Sequence, residues 1–183
     1  FIQKDAFNQT SLTSGLLDAT KKTVVPADNI KVGDDGTVNY TWSVWIYISD
    51  WSYRLGEKKV VIQRGKANER CPEITLGETE NDLTIHQAVY LDNNDQSSGF
   101  MDPSNPLNGS NSICTIPNIP IQQWVSIIVS LNGRDMDTYI NGKLVKTCVL
   151  SNAAYVNAED DVYITPGGGF QGNVSSVKYW STA

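Results

Sequence analysis

Three carboxylates, Glu78, Glu80 and Asp82, alternate along the chain in the spacing that comes nearest to a catalytic arrangement. In an extended strand their side chains would share one face, because successive side chains point to opposite faces. Two carboxyl groups about 5 Å apart could then support retaining glycoside hydrolysis. The segment follows Gly77, however, and lies between two predicted strands, which is typical of a turn. We therefore predict no catalytic site, with a diverged glycoside hydrolase as the alternative.

His86 is the single histidine of the chain. A nucleophilic triad needs a positioned base, but His86 alternates with polar neighbours in a predicted strand, and no G-x-S-x-G turn accompanies it. We expect His86 at the surface or at a sheet edge. The glycines at 167–169 are not followed by a helix with a Lys-Ser or Lys-Thr pair, so they predict a tight turn rather than a phosphate loop.

Four aromatic residues are candidates for ligand contact. An exposed aromatic ring can stack on a sugar while Asn, Asp and Arg bond the hydroxyls. Trp45 and Tyr47 share the face of a strand that is opposite the predicted core face, and Trp51 and Tyr53 follow in a loop. The alternative for Trp45 is that it covers the sheet beneath a loop. Because exposed loop aromatics more often mark interaction, Trp51 and Tyr53 are the leading candidates for a contact surface.

A calcium site is the one metal site that the residue pattern suggests. Residues 91–112 form a long polar connection, in which two asparagines separate Asp92 from Asp95 and Asp102 lies nearby. Calcium takes six to eight oxygen ligands, and loops rich in Asp and Asn supply them. The alternative is that these residues simply make turns.

The charge balance excludes several classes of partner. The formal net charge is −6 and the sequence pI is about 4.7, which argues against a nucleic-acid groove or an anionic membrane surface. No run of 18 apolar residues is present, so we expect no membrane insertion by this segment. A glycan or a protein, including a neighbouring structural protein, is the expected partner.

The three cysteines, Cys71, Cys114 and Cys148, lie far apart and form no C-x-x-C pair. With one histidine in the chain, they do not predict a zinc site. Two interpretations stay open: three buried thiols, or one disulfide and one free thiol.

Alternation of apolar and polar residues dominates the sequence and predicts strands. In the strand at 41–49, one face carries Trp42, Val44, Ile46 and Ile48, which we assign to the core. Asn141-Gly142 predicts a type I′ hairpin, because both turn residues need positive φ. Further strands are predicted at 59–64, 73–76, 82–89, 113–116, 124–131, 137–140, 143–145, 162–165 and 173–180.

Many short strands joined by turns, without crossover helices, predict an all-β fold, a two-sheet antiparallel β sandwich. We expect a single domain over 1–183. The N-terminal segment 1–29 is the least regular part, and residues 11–20 within it are the candidate for a helix. Large aromatic residues such as Trp124 and Trp180 are expected to contribute buried area to the core.

Three blocks resemble the laminin-G-like jelly roll in order and spacing: YTWSVWIYISDW at 40–51, IPIQQWVSIIVSLNGRDMDTYINGKLVKT at 119–147 and GGGFQGNVSSVKYW at 167–180. The resemblance implies a concanavalin A-like jelly roll. The segments NIPIQQW and YINGKLVKT are also similar to domains of virion proteins from large double-stranded DNA viruses.

This resemblance implies a non-catalytic binding or structural module that is extracellular or virion-associated. Several laminin-G and pentraxin-like relatives bind calcium at one rim of the sandwich, which adds to the interest of Asp92 and Asp95. The family's calcium positions do not align on a fixed motif here, so no ligand is carried over.

Overall fold

The computed structural model describes residues 9–30, 38–65, 69–90 and 111–183. These residues form thirteen β-strands in two antiparallel sheets, with single 3-10 turns at Ala27–Asn29 and Pro166–Gly168. No helix in those ranges is long and apolar enough to cross a membrane. The predicted all-β sandwich is confirmed.

The first sheet has seven strands and contains the first and the last of the described strands. In order across the sheet, the strands are β1 (Gln9–Ser11), β13 (Gln171–Trp180), β4 (Tyr40–Asp50), β9 (Trp124–Asn132), β10 (Asp135–Ile140) and β11 (Lys143–Val149), with β2 (Leu17–Asp18) also paired to β13. Gln9 of β1 lies opposite Trp180 of β13.

The second sheet has six strands. Its order is β3 (Thr23–Val25), β12 (Val162–Ile164), β5 (Lys59–Arg64), β6 (Glu73–Leu76), β7 (Leu83–Ala88) and β8 (Asn111–Ile116).

The core lies between the two sheets and follows the predicted alternation. In β4, Trp42, Val44, Ile46 and Ile48 are at most 1% exposed, as expected when alternate side chains of a strand point inward. Strands β9, β5, β6 and β7 add inward-facing Val, Ile and Leu side chains to the same cluster. The outward side chains of β4 are thereby left on the outer face of the seven-stranded sheet.

The hairpin between β10 and β11 confirms the turn prediction. Asn141 and Gly142 have φ of 50° and 77°, and Ile140 pairs with Lys143 across the turn, as a two-residue type I′ turn requires. The Asn141 Oδ1 accepts a hydrogen bond of 2.9 Å from the amide of Ser126. This contact ties the turn to β9.

The N-terminal segment differs from the helix expectation. Residues 11–20 contain β2 and no helix, because Leu17 pairs with Val174 at the sheet surface. A tertiary contact with β13 therefore overrides the local preference of a short segment.

One disulfide joins the two sheets. Cys114 of β8 and Cys148 of β11 are bonded, with 6.0 Å between their Cα atoms. These strands are the last in their respective sheets, so the bond closes one side of the sandwich. Cys71 is a buried free thiol, and burial raises its pKa to about 11. One disulfide plus one free thiol is the pattern present.

Candidate functional site

The acidic segment predicted to be a turn is a turn. It connects β6 to β7, and the amide of Gly77 donates to the carbonyl of Asp82 at 2.8 Å. Residues 77–82 have no strand structure, so Glu78, Glu80 and Asp82 do not share the face of a strand. The geometry expected of an alternating catalytic carboxylate pair is therefore missing from this turn.

This turn nevertheless forms one wall of a groove of about 550 Å³. The other walls come from the loop after β4 and from the loop between β8 and β9. The residues that line the groove are Trp51, Thr79, Glu80, Asn81, Asp82, Pro117, Asn118 and Ile121. The groove therefore combines one large aromatic ring with carboxylate, amide and hydroxyl groups.

Trp51 is held in place by a hydrogen bond and by a buried cation. Its Nε1 donates to the carbonyl of Thr79 at 3.1 Å, and the Lys59 ammonium lies 5.0 Å from the ring centroid. Lys59 is 1% exposed, and its Nζ donates to the carbonyls of Glu57, Gly77 and Glu78 at 3.3–3.4 Å. Burial lowers the pKa of Lys59 below its usual value.

The third wall is fixed by backbone contacts of the loop at 117–123. The amide of Ile119 donates to the carbonyl of Asn81 at 2.7 Å, and Asn81 Nδ2 donates back to the Ile119 carbonyl at 2.9 Å. The amide of Asn118, a residue with φ of 60°, donates to Asp82 Oδ1 at 3.3 Å. The groove is thus formed by cross-linked loops rather than by isolated ones.

The four predicted contact aromatics divide between two places. Trp51 lines the groove, whereas Tyr53 lies outside the lining and donates its hydroxyl to the carbonyl of Gly168 at 3.2 Å. The neighbouring Arg54 guanidinium donates to the carbonyl of Gly167. Tyr53 therefore anchors the loop that carries Trp51 to the glycine-rich turn before β13.

Trp45 and Tyr47 lie on the outer face of the seven-stranded sheet. Trp45 is 41% exposed, and so is Trp124 of the adjacent β9. The Tyr47 and Trp124 rings are tilted, with centroids 5.7 Å apart, because these residues are paired in register. Trp45 of β4 is paired with Ser126 of β9, two residues along from the pair of Tyr47 and Trp124. We refer to Trp45, Tyr47 and Trp124 as the aromatic face.

The expectation that Trp124 and Trp180 belong to the core is wrong. Both face outward from the seven-stranded sheet, and Trp180 is half-buried there. The core position next to Trp180 belongs to Tyr179, whose ring centroid is 4.8 Å from that of Trp42. The alternation within β9 indicates the outward orientation of Trp124, since Trp124 is in phase with Ser126 and out of phase with the buried Val125.

His86 is half-buried in the second sheet and does not lie at a sheet edge. It lies in β7, which is an internal strand rather than an edge, and it faces Glu73 of β6. Glu73 is 2% exposed and is bound by Lys58 at 2.8 Å and Arg70 at 3.4 Å. Burial lowers the pKa of His86 below its usual value.

The calcium candidates Asp92 and Asp95, with Asp102, lie outside the described residues. Within the ranges that are described, no three His, Cys, Asp or Glu side chains cluster so that they could hold a metal ion.

Comparison with solved structures shows a shared fold. The chain is similar to the binding domain of botulinum neurotoxin serotype D, with a TM-score of 0.65, 13% identity, and coverage of 98% of this chain and 41% of that one. It is also similar to the binding domain of botulinum neurotoxin DC in complex with SialylT, with a TM-score of 0.59, 16% identity, and coverage of 88% and 36%.

A third similar structure is of botulinum neurotoxin type C, whose cell entry depends on interaction with two ganglioside molecules; the TM-score is 0.53, the identity 19%, and the coverage 79% and 32%. The chain thus spans about two fifths or less of these toxin chains.

Sequence comparison gives the family. No curated protein matches the chain. The family profile described as the concanavalin A-like lectin/glucanases superfamily, of the laminin-G type, matches residues 19–183. That match covers both sheets of the sandwich except β1 and β2. The chain therefore belongs to the concanavalin A-like lectin/glucanase superfamily.

Proposed function

We propose that the chain is a non-catalytic binding module that holds a glycan in the groove beside Trp51. The observation that carries this proposal is the composition of the groove, in which Trp51 lies among Glu80, Asp82 and Asn118. A ring that is apolar on its faces can stack on a sugar, and carboxylates accept strong hydrogen bonds from hydroxyls. The volume of about 550 Å³ falls within the roughly 300–1,000 Å³ of small-molecule sites.

Tyr53 enters this proposal as a positioning residue. Its hydroxyl is bonded to Gly168, so it restrains the loop that carries Trp51. We expect Tyr53 to affect ligand affinity through the position of Trp51, without touching the ligand.

The proposal of a module without hydrolytic activity is supported by the turn at 77–82. Asp82 uses its backbone carbonyl to close the turn and its Oδ1 to hold the amide of Asn118. A carboxylate that holds a wall residue by its Oδ1 is less free than a nucleophile, which must approach the sugar. The diverged glycoside hydrolase is therefore the less favoured alternative.

The similar toxin structures support a binding role. The toxin domains are described as binding domains, with SialylT or gangliosides as the partners named. Those partners belong to the whole toxin domains, of which this chain spans the minor part, so they support a glycan-binding role only in general terms.

The disulfide supports an extracellular location. A bond such as Cys114–Cys148 persists in oxidising compartments and at the surfaces of cells and virions. An extracellular or virion-associated location is therefore part of the proposal.

A structural role is the second candidate function, and the aromatic face favours it. Two neighbouring tryptophans that are each 41% exposed form the kind of patch that often contacts another protein. In this role the aromatic face would pack against a neighbouring structural protein, such as a component of a virion.

A glycan array of the purified chain tests both candidates, with Trp51→Ala and Trp45→Ala as matched variants. The glycan proposal expects binding that is lost in Trp51→Ala and kept in Trp45→Ala. Repeating the array with calcium and with a chelator tests whether binding requires calcium, as a calcium site at Asp92 and Asp95 would predict. Absence of any binding by the wild-type chain would overturn the glycan proposal. Self-association that is lost in Trp45→Ala alone, measured by sedimentation, would favour the structural role.

A further inference from the structure

The groove carries negative charge without a matching cation. Among its eight lining residues are the two carboxylates Glu80 and Asp82, and none of the eight is Lys or Arg. The lining side chains therefore carry a negative formal charge, since Glu80 and Asp82 are acidic and no basic side chain is among the eight.

The nearest buried cation cannot serve as an anion-binding group. Lys59 is 1% exposed and does not line the groove. Its ammonium is bound to three backbone carbonyls at 3.3–3.4 Å. Its donors are thereby occupied, because an ammonium has three. Arg54 is likewise engaged, since it forms an ion pair of 2.6 Å with Glu57.

Three N–H donors of the groove are already engaged in bonds within its walls. Trp51 Nε1 donates to the carbonyl of Thr79, Asn81 Nδ2 to that of Ile119, and the amide of Asn118 to Asp82. These bonds hold the walls together and leave carboxylate oxygens as the strongest hydrogen-bonding groups toward a ligand. Such a surface suits a ligand that donates hydrogen bonds rather than one that accepts them.

From this charge and donor pattern we infer that the groove selects uncharged or amino-bearing glycans and rejects glycans that carry a carboxylate or a sulfate. The inference rests on the proposed glycan-binding function and names the ligand class of the same groove. Hydroxyl and ammonium groups of such a sugar would donate to Glu80 and Asp82 while the ring stacks on Trp51. A sialic acid or a sulfate at this place would face the like charges of Glu80 and Asp82 with no basic side chain in the lining to bind it, which suppresses binding.

The experiment compares sugars that differ only in charge. Each neutral glycan that the chain binds is tested beside its sialylated, sulfated and free-amine derivatives, by array and then by calorimetry. We expect the anionic derivatives to bind at least about tenfold more weakly than the parent. The amine derivative should bind at least as tightly, and its affinity should fall as salt is raised, since salt screens the charges.

The double variant Glu80→Gln and Asp82→Asn tests the residues. Asn at 82 keeps an Oδ1 acceptor for the amide of Asn118, so the wall is retained. The matched control, Asp135→Asn with Glu159→Gln, removes the same charge from exposed positions outside the groove. The groove variant should reduce the discrimination against anionic derivatives, and the control should not.

The outcomes separate the two proposals. If sialylated or sulfated derivatives bind as tightly as their neutral parents, the inference is wrong and the glycan-binding function stands. Unchanged discrimination in the groove variant would also overturn it. If no glycan of any charge is bound, the proposed function fails and the ligand class fails with it.

Discussion

The ammonium of Lys59 lies 5.0 Å from the centroid of the Trp51 ring, so a buried charge supports the aromatic wall of the groove. We predict that Lys59→Met weakens glycan binding several-fold, because the turn at 77–78 loses the donor that holds it beside Trp51. Stability should change by no more than about 1 kcal/mol, since the lost cation–π contact is offset by the desolvation cost of the ammonium. Calorimetric titration and thermal denaturation measure the two effects.

A matched control is Lys22→Met, because Lys22 lies over another ring, that of Tyr163, at 5.9 Å. This variant should bind glycan normally. Normal binding by Lys59→Met as well would contradict a positioning role for Lys59.

Two tryptophans of β4 should differ sharply in their effect on stability. Trp42 is 1% exposed in the core, and Trp45 is 41% exposed on the aromatic face. Trp42→Ala should cost about 3–5 kcal/mol because it leaves a cavity, whereas Trp45→Ala should cost less than about 1 kcal/mol. Urea denaturation measures both, and equal losses would mean that the aromatic face is part of the core.

Reduction of Cys114–Cys148 should destabilise the sandwich by about 2–4 kcal/mol, because the bond closes a long loop and restricts the unfolded chain. The sequence separation of the two cysteines is 34 residues. Denaturation with and without a reductant measures the loss, and Cys114→Ser with Cys148→Ser should remove the effect of the reductant.

A thiol titration checks the pairing itself. Cys71 should not react in the native protein at pH 8, since it is buried and its pKa is raised to about 11. One thiol should react in denaturant without reductant, and three after reduction. Three reactive thiols before reduction would mean that the disulfide is absent.

Stability should fall as the pH is lowered through the titration range of His86. Burial holds the pKa of His86 below its usual value of 6.5 in the folded chain, so the unfolded chain binds this proton more tightly. The resulting cost of folding is absent well above pH 6.5 and is complete below the folded-state pKa. His86→Gln should therefore lose less stability than the wild type between pH 7.5 and pH 5.0, as urea midpoints would measure. An equal loss would assign the acid sensitivity to other groups.

The sequence predicts those parts of the fold that depend on local pattern. The inward face of β4 and the turn at Asn141-Gly142 follow from alternation and from φ preferences, which neighbouring residues determine. The exposure of Trp124 depends on its phase within β9 and on what covers the outer face of that sheet. An interpretation that equated a large aromatic ring with the core therefore missed it, although the phase relative to Val125 pointed outward.

The groove could not be predicted from any single segment. Its walls come from 51, 79–82 and 117–121, which are brought together by bonds such as that between Ile119 and Asn81. Trp51 was identifiable as a candidate because it follows a predicted strand in a loop, where exposed aromatic residues more often mark interaction. Its partners were not, because Glu80 and Asp82 follow Gly77 between two predicted strands, a position that indicated only a turn.

The pairing of β1 with β13 determines how the domain would respond to mechanical load. Gln9 lies opposite Trp180, so a force applied through both ends of the sandwich would pull apart one pair of hydrogen bonds at a time. An antiparallel pair loaded in this way unzips at low force, because its bonds do not share the load. The disulfide would limit further extension, because the chain between Cys114 and Cys148 cannot be stretched while the bond is intact. The sequence separation of 34 residues corresponds to about 12 nm of extended chain. In a stretching experiment, β1 and β13 would separate at low force, and the segment between Cys114 and Cys148 would stay unextended.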